Sequence, residues 1–520
     1  MRRVRLGKLV TAIAVLSLSL GLLALSGGSA MAAKHKSSAQ KPRSGGNLAI
    51  GVEAGWTSFD PLQANNFVSV DIDDSLYATL LQLAPGGKFV PDLATSIKEE
   101  DGGKTWVMTL RKGVIFQDGT PFDSSSVVYN LERVSNPANA CLCYANVETI
   151  TSVVPTGKYG VTVHLSTPDA TFPDSMSGAA GMMVSPTAAK SEGSTFGLHP
   201  VGAGPFKLES ETPGNSATLV RWNGYWDRPE PYLSSVTFKV ITDADTRLSS
   251  LQSGVIQDDE DINPTQIPTI QSNPQLSVTA LGGVGTTFVQ FQTQAAPLNN
   301  VLAREAVTYA TNPEQINTAL FDGKYTTGIE SPWTPQSWAY PGKVSGYQTY
   351  NLAKAKALVK QLGGLSFTLT IRANDPISLS EAEALQSQWA QAGIKAQIAL
   401  LENVALIQAS DKGDYQAMLY RWAGGYDPDS NVFNFFLSGS TVNASEVNST
   451  TIDALLFQER AATTQSARKT IFDQLAKQLA IIVPRDYLAA ADWWRASVRT
   501  LHGIPKLANN YMELAGAWMG

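Results

Sequence analysis

Hydrophobic residues in the second half of the chain recur with two periods, and their order predicts a strand–helix–strand unit. Residues 367–371 alternate apolar and polar side chains, as expected of a half-buried strand. Ser380 and Glu383 have capping-box spacing and predict the start of a helix that ends at Gly393. Residues 394–400 again alternate and predict the next strand. Because such a unit needs a crossover, it predicts a parallel sheet and an α/β fold.

Similar patterns predict further elements along the rest of the chain. Residues 47–54, 105–111 and 160–165 have the composition or alternation of strands. Asp123 is placed to cap a helix with an apolar face, and Asn351 is placed to cap another that stops at a pair of glycines. The predicted strands and helices alternate without an internal repeat.

The strand predicted at residues 415–422 ends in a segment with the composition of a binding loop. It reads Trp422-Ala-Gly-Gly-Tyr426-Asp427-Pro-Asp429. Ligands of open α/β sheets bind beyond the carboxyl ends of strands. Two glycines allow close approach of the backbone, the aromatic rings offer flat faces, and the aspartates offer charge. We therefore expect this loop to contact a ligand.

The N-terminus has the pattern of an export signal. A basic start, containing Arg2, Arg3, Arg5 and Lys8, precedes the largely apolar residues 9–25, and Ala30-Met31-Ala32 provides small residues for cleavage. We expect residues 1–32 to be a signal peptide and residues 33–44 a polar tether. An uncleaved anchor is the alternative. No cysteine lies near the cleavage region, so no lipid attachment is expected there.

Composition limits the classes of function. The chain has 520 residues, of which 43% are hydrophobic, and a formal net charge of −6, which argues for a large core and against nucleic-acid binding. Cys141 and Cys143 are expected to form a disulfide in an exported protein, with free thiols as the alternative. The four histidines lack ligand spacing, so neither a metal nor a cofactor is expected.

Two other site types were weighed. Asp427-x-Asp429-x-Asn431 begins like a calcium loop, but Val432 and Ser438 occupy positions that need Gly and Glu. The acidic residues 258–261 are expected to be a solvated face. The chain also lacks the Gly-x-Ser-x-Gly, His-Glu-x-x-His and P-loop motifs, so no catalytic residue is assigned.

Several motifs resemble those of the family 5 bacterial extracellular solute-binding proteins, the dipeptide- and oligopeptide-binding class. The most specific is the stretch 101–133, DGGKTWVMTLRKGVIFQDGTPFDSSSVVYNLER. Others are Ser58-Phe-Asp-Pro61, Val201-Gly-Ala-Gly-Pro-Phe-Lys207, Asn223-Gly-Tyr-Trp226 and the helix-like residues 302–310. The resemblance extends from Gly45 to about Ser440.

The resemblance implies a two-lobed periplasmic-binding-protein fold of type II, the Venus-flytrap fold, with an inserted subdomain. One lobe would comprise residues 45–75, 203–281 and 487–520, and the inserted subdomain residues 76–202. The other lobe would comprise residues 282–486. The chain would cross between the lobes near residues 281 and 486, which would form the hinge.

The implied function is capture of a small solute outside the membrane and its delivery to the permease and ATPase of an ABC importer, by a monomer without enzymatic activity. Ligand contacts are expected from two segments. The first follows the Ser-Phe-Asp-Pro motif and contributes Asn65, Asn66, Phe67 and Ser69, although the polar side chains here can equally satisfy turns. The second contributes Trp422, Gly425, Tyr426 and Asp427.

One departure from the family leaves the ligand class open. Peptide-binding relatives carry Asp three residues after the loop tryptophan, where it pairs with the peptide ammonium, and this chain has Gly425. Asp427 is either a substitute carboxylate or a turn residue before Pro428. A peptide, an oligosaccharide or a metal chelate all remain candidate solutes. A sensor that does not deliver cargo and a secreted hydrolase are the competing functions.

Overall fold

The computed structural model describes residues 41–520 except 65, 441 and 508. Residues 1–40, with the predicted signal peptide and most of the predicted tether, lie outside the described residues. The described α-helices are α1 (Phe67–Leu76), α2 (Ser124–Ser135), α3 (Phe172–Ser175), α4 (Pro186–Glu192), α5 (Ala244–Ser253), α6 (Ile267–Ser272), α7 (Val301–Ala310), α8 (Pro313–Phe321), α9 (Leu352–Gln361), α10 (Pro376–Gln391), α11 (Asn403–Asp411), α12 (Phe433–Phe436), α13 (Thr450–Ala461) and α14 (Gln465–Ile482).

The strands of the described residues form several sheets. In chain order they are β1 (Asn47–Val52), β2 (Leu81–Ala84), β3 (Lys88–Pro91), β4 (Ala94–Glu100), β5 (Thr105–Leu110), β6 (Ile150–Pro155), β7 (Gly160–Leu165), β8 (Phe206–Thr212), β9 (Ser216–Arg221), β10 (Ser235–Val240), β11 (Asp258–Asp259), β12 (Leu276–Gly282), β13 (Thr286–Phe291), β14 (Leu365–Arg372), β15 (Ile394–Leu401), β16 (Ala417–Trp422), β17 (Arg485–Ala490), β18 (Trp493–Val498), β19 (Leu501–His502) and β20 (Trp518–Met519).

A seven-stranded sheet has the order β12-β18-β11-β1-β10-β9-β8. β1 is parallel to β10 and β11, while β18 is antiparallel to both β11 and β12. The carboxyl ends of β1, β11 and β12 therefore meet at one edge. Ile50 and Val52 of β1 pack with Val68 and Ile72 of α1 in a buried apolar cluster. This packing holds α1 beside the sheet, with its first turn following the loop that leaves β1.

A five-stranded sheet has the order β15-β14-β16-β13-β17. The parallel pairing of β14 with β15 around α10 confirms the predicted strand–helix–strand unit. The predicted helix start at Ser380 is wrong, because α10 begins at Pro376. The Asp375 side chain accepts hydrogen bonds from the backbone amides of Ile377 and Ser378. Proline is favoured at a first helical position, where its missing amide has no intrahelical partner to lose.

A four-stranded antiparallel sheet has the order β4-β5-β7-β6. Its buried side chains share one apolar cluster with α2, whose predicted cap Asp123 is confirmed. Cys141 and Cys143 lie beside this cluster and are joined by a disulfide with an S–S distance of 2.13 Å. β2 and β3 form a separate two-stranded hairpin.

The chain passes twice between the seven-stranded and five-stranded sheets, at residues 283–285 and 491–492, which we call the crossing segments. The second crossing lies later than residue 486, because β17 continues in the five-stranded sheet to Ala490. The amide of Ala491 donates a hydrogen bond of 3.0 Å to the Gly285 carbonyl. A Cβ on Gly283 would lie 2.1 Å from the Ala491 carbonyl oxygen. The two segments therefore run side by side, and no side chain fits between them at Gly283.

The described part of the chain contains no helix long and apolar enough to cross a membrane.

Candidate solute-binding site

A cavity of about 550 Å³, which we call the large cavity, lies at the crossing segments. Both crossing segments line it, together with the tip of the β2–β3 hairpin, the loop before α9 and the C-terminal segment. Its lining residues are Gly86, Ala280, Leu281, Gly282, Gly283, Val284, Gln336, Asp492, Trp494, Lys506 and Leu507. Pockets for small molecules have volumes of this order and combine apolar walls with a few polar groups. Here the polar side chains are an amide, a carboxylate and an ammonium.

The predicted tryptophan is tied to this cavity through one intermediate side chain. The Trp422 indole Nε1 donates to Asn431 Oδ1 at 3.0 Å, and Asn431 Nδ2 donates to the Val284 carbonyl at 3.0 Å. Trp422 is half-buried at the end of β16, with Phe435 at its ring edge. Trp422 does not itself line the large cavity, whereas Val284 does. Its hydrogen bonds therefore fix the loop relative to the cavity wall.

Tyr426 meets the β2–β3 hairpin. Its ring lies edge-on to Phe89, with a centroid separation of 5.9 Å. A Cβ on Gly87 would lie 1.9 Å from the Tyr426 ring, and Gly87 has a φ of +77° that also favours glycine. Gly425 donates its amide to Ser430 Oγ at 2.9 Å. This loop and the hairpin consequently close one side of the site, next to Gly86 in the cavity lining.

Asp427 is occupied by a buried ion pair. Each of its carboxylate oxygens accepts a hydrogen bond of 2.6 Å from Arg468, and Oδ1 also caps the short helical turn that begins at Pro428. Asp429 pairs in the same way with Arg460, at 2.9 and 2.8 Å. Asp427 is therefore a structural carboxylate, rather than the free one that a solute ammonium would need. The same pairing occupies the oxygens that the calcium alternative required.

The first segment predicted to contact the ligand, which precedes and begins α1, contributes helix-capping side chains and one aromatic contact. Asn66 caps α1 by accepting from the Ser69 amide at 2.8 Å, and its Nδ2 donates to the Gly55 carbonyl. Ser69 is buried behind this cap. Phe67 stacks on Trp493 at 5.2 Å between ring centroids, next to the crossing segment 491–492. Asn65 lies outside the described residues.

The acidic run 258–261 was predicted to be solvated, and this is wrong because all four side chains are buried. Arg247 pairs with Asp259 at 2.9 Å, and Arg421 pairs with Asp261 at 3.0 Å. Burial raises the pKa of Asp259 to about 7, although Arg247 acts in the opposite direction. The run begins in β11, which lies between β18 and β1 inside the seven-stranded sheet, and this position keeps its side chains away from water.

Sequence reasoning also missed the polar groups of the cavity. Gln336, Asp492 and Lys506 stand in segments without a recognisable motif, and only the path of the chain brings them together. Asp492 accepts from the Thr326 amide at 3.0 Å. Lys506 is exposed and donates to the Ala280 carbonyl. Among the residues that line the large cavity, Lys506 supplies the positive charge and Asp492 the negative one.

Comparison with known proteins agrees with this geometry. Residues 88–444 match the family model "Bacterial extracellular solute-binding proteins, family 5 Middle". The glutathione-binding protein GsiB of Salmonella paratyphi A is 32% identical over 363 residues, which cover 68% of this chain and 70% of the relative.

Two solved structures of 23% identity share the fold. They are the oligopeptide-binding protein AppA of Bacillus subtilis in complex with a nonapeptide, with a TM-score of 0.85, and the periplasmic binding protein DppA of Helicobacter pylori in complex with the peptide STSA, with a TM-score of 0.84. Each comparison covers 92% of this chain, and 100% of the AppA chain and 98% of the DppA chain. The fold is thus the two-lobed periplasmic-binding-protein fold. The chain belongs to the bacterial extracellular solute-binding proteins of family 5.

Proposed function

We propose that the protein captures a di- or tripeptide-like solute in the large cavity and delivers it to the permease and ATPase of an ABC importer. The observation that carries this proposal is the position of the cavity, whose walls come from both crossing segments, the hairpin and the C-terminal segment. A solute there touches groups on both sides of the crossings. Such a solute favours a closed arrangement over an open one by its differential contacts.

We assign the lobes by sheet membership. The seven-stranded sheet forms one lobe, the four-stranded sheet and its helices form the inserted subdomain, and the five-stranded sheet forms the other lobe. The crossing segments act as the hinge. The boundaries between these parts lie at residues 75, 202 and 281, and the last boundary lies at residue 491. Residues 1–32 direct export.

The peptide class is supported by the relatives and by the charges of the cavity. The relative GsiB is named for glutathione, and AppA and DppA are solved with peptides. Lys506 is an exposed cation in the cavity lining, and no described carboxylate forms an ion pair with it. It is suited to a solute carboxylate, since an ammonium provides three hydrogen-bond donors. Trp422, Gly425, Tyr426 and Phe67 support the walls around this contact.

Binding is tested by thermal unfolding with reduced glutathione, synthetic di- and tripeptide mixtures, and oligosaccharides as parallel probes. A peptide at 100 times its dissociation constant should stabilise the protein by about 2.7 kcal/mol. Lys506→Met should weaken that stabilisation, while Lys98→Met, at an exposed lysine that does not line the cavity, should not. Stabilisation by oligosaccharides alone would contradict the peptide class. Turnover of the added peptide would contradict a binding function without catalysis.

A further inference from the structure

A second, smaller cavity of about 60 Å³ adjoins the large one, since Leu507 lines both. Three carboxyl groups line it, those of Asp74 on α1, Asp92 after β3 and Glu513 near the C-terminus. None of the described residues that line it is Lys, Arg or His. We call this cavity the acidic pocket. Its volume is about twice the share of one water molecule in the liquid, which suits an ammonium group.

A buried hydroxyl group also lines the acidic pocket. Tyr225 is 9% exposed, and its phenol forms no hydrogen bond with another described residue. The carboxyl groups of Asp92 and Glu513 are close enough to disfavour its ionisation, together with burial. A buried phenol normally finds a hydrogen-bond partner. The Tyr225 hydroxyl, which has no partner in the described part of the chain, therefore remains available to a group that enters the pocket from outside.

Burial and mutual repulsion disfavour ionisation of the carboxyl groups of the pocket, and a bound cation offsets both effects. Burial raises the pKa of Asp74, and the nearby carboxyl groups of Asp71, Glu513 and Asp92 raise it further. Burial also raises the pKa of Glu513 and that of Asp92, the latter to about 7. Arg111 lies beside Asp92 but does not line the pocket. Its Nε donates to the Asp92 carbonyl at 2.9 Å, and its guanidinium lies 4.0 Å from the centre of the Trp226 ring.

We propose that the acidic pocket binds the ammonium group of the solute, with the carboxyl groups of Asp74 and Glu513 and the Tyr225 hydroxyl as its hydrogen-bond acceptors. This inference rests on the proposed capture of a peptide-like solute and narrows it to solutes with a free primary amine. The Trp422 loop offers no such acceptor, because Gly425 has no side chain and Asp427 is paired with Arg468. The acidic pocket supplies carboxyl groups that the Trp422 loop lacks, and it adjoins the large cavity at Leu507, which lines both.

The test compares two synthetic libraries of the same di- and tripeptides, one with free amino termini and one N-acetylated. Acetylation removes the positive charge without changing the remaining peptide. We expect the acetylated library to bind the wild-type protein at least about tenfold more weakly, the factor typical of losing a charged hydrogen-bonded contact. Binding is measured by thermal shift and by calorimetric titration.

Isosteric variants test whether the side chains of the acidic pocket cause this difference in affinity between the two libraries. Asp74→Asn and Glu513→Gln should each weaken the free-amine library about tenfold and leave the acetylated library unchanged, so that the two libraries become more alike. Tyr225→Phe removes only a hydroxyl and should cause a several-fold loss. Glu383→Gln, at an exposed carboxylate on α10, is the matched control and should behave as the wild type.

The outcomes separate this inference from the proposed function. Equal binding of both libraries to the wild-type protein overturns the acidic pocket and leaves peptide capture standing. Binding of neither library overturns peptide capture, and this inference with it. If either carboxylate variant does not fold, the wild-type comparison and Tyr225→Phe decide the question. An acetylated library that still loses affinity in the Asp74→Asn variant would show a structural role and overturn the assignment.

Discussion

The guanidinium of Arg421, on β16 of the five-stranded sheet, pairs at 3.0 Å with the carboxylate of Asp261, which follows β11 of the seven-stranded sheet. Arg421 also donates to the Asp492 carbonyl at 2.9 Å and lies 3.8 Å from the centre of the Trp493 ring. One side chain thus connects both sheets with the crossing segment between them. Because both partners are largely withdrawn from water, the pair is worth more than an exposed one.

Asp261→Asn should shift the protein toward an open arrangement and lower its affinity for peptide. The substitution removes the carboxylate charge that pairs with Arg421, and this pair forms only when the two sheets lie close together. Affinity falls in proportion to the population of the competent state, and a loss of about tenfold is expected. The measurement is calorimetric titration combined with the radius of gyration from solution scattering.

The control for this variant is Glu100→Gln, which breaks the exposed pair between Lys98 and Glu100 within a single strand. That change should alter neither affinity nor radius of gyration. Unaltered affinity and radius in the Asp261→Asn variant would show that the Arg421 pair does not take part in closure.

Asp427→Asn should destabilise the fold more than it affects the solute. The substitution leaves Arg468 buried with a weaker partner, which costs about 3 kcal/mol, although Glu459 keeps its bond of 2.8 Å to the same guanidinium. Thermal unfolding without ligand measures this cost. Unchanged stability together with a large loss of peptide affinity would instead show that Asp427 contacts the ligand.

Trp422→Phe should reduce peptide affinity, while a ligand-induced change in tryptophan fluorescence should persist because Trp494 lines the large cavity. The variant keeps an aromatic ring but loses the bond to Asn431, which positions the Val284 carbonyl at the cavity wall. Trp389→Phe is the matched control, because Trp389 is fully buried in α10 and bonded to Thr311. The control should lose stability and retain the fluorescence response. Unchanged peptide affinity in Trp422→Phe would show that the bond to Asn431 does not position the cavity wall.

Ionisation of Asp486 should lower the free energy of unfolding as the pH rises to alkaline values. Burial raises its pKa to about 7, with the Thr311 hydroxyl acting in the opposite direction. An acid with a raised folded-state pKa contributes stability that is complete below its unfolded pKa and is lost as pH rises through the folded value. Between pH 5 and pH 8 the loss from this one group is roughly 2 to 3 kcal/mol.

The comparison of wild type with Asp486→Asn isolates this contribution, since Asn stays neutral at both pH values. The variant should lose less stability than the wild type between pH 5 and pH 8, measured by chemical denaturation. Other buried acids titrate in both proteins, so their contributions to the pH dependence of stability cancel when the variant is compared with the wild type. Equal losses in the two proteins would mean that Asp486 is ionised in the folded state.

Local patterns predict the fold well where a helix or strand has its own cap or period. Asp123 and Asn351 cap helices as expected, and the alternation at 367–371 and 394–400 gives the paired strands β14 and β15. The site is less predictable because its groups meet only through long-range packing. Arg468 reaches Asp427 from a helix 41 residues later, and nothing near Asp427 signals that partner.

The buried acidic run illustrates the same limit. Four consecutive acidic residues are usually solvated, and their burial here depends on arginines from three separate parts of the chain, Arg247, Arg421 and Arg495. A charge run carries no information about cations that approach it in space. The resemblance to the family supplied the two-lobed fold, which periodicity does not encode.

A crystal structure of the protein with a bound tripeptide would show whether a peptide-like solute bridges the two sides of the crossing segments. We expect density for the peptide in the large cavity between Val284 and Lys506, with contacts to groups of both lobes. Its amino group should point toward Asp74 and Glu513. Density confined to the outer surface, or in contact with one lobe alone, would contradict it.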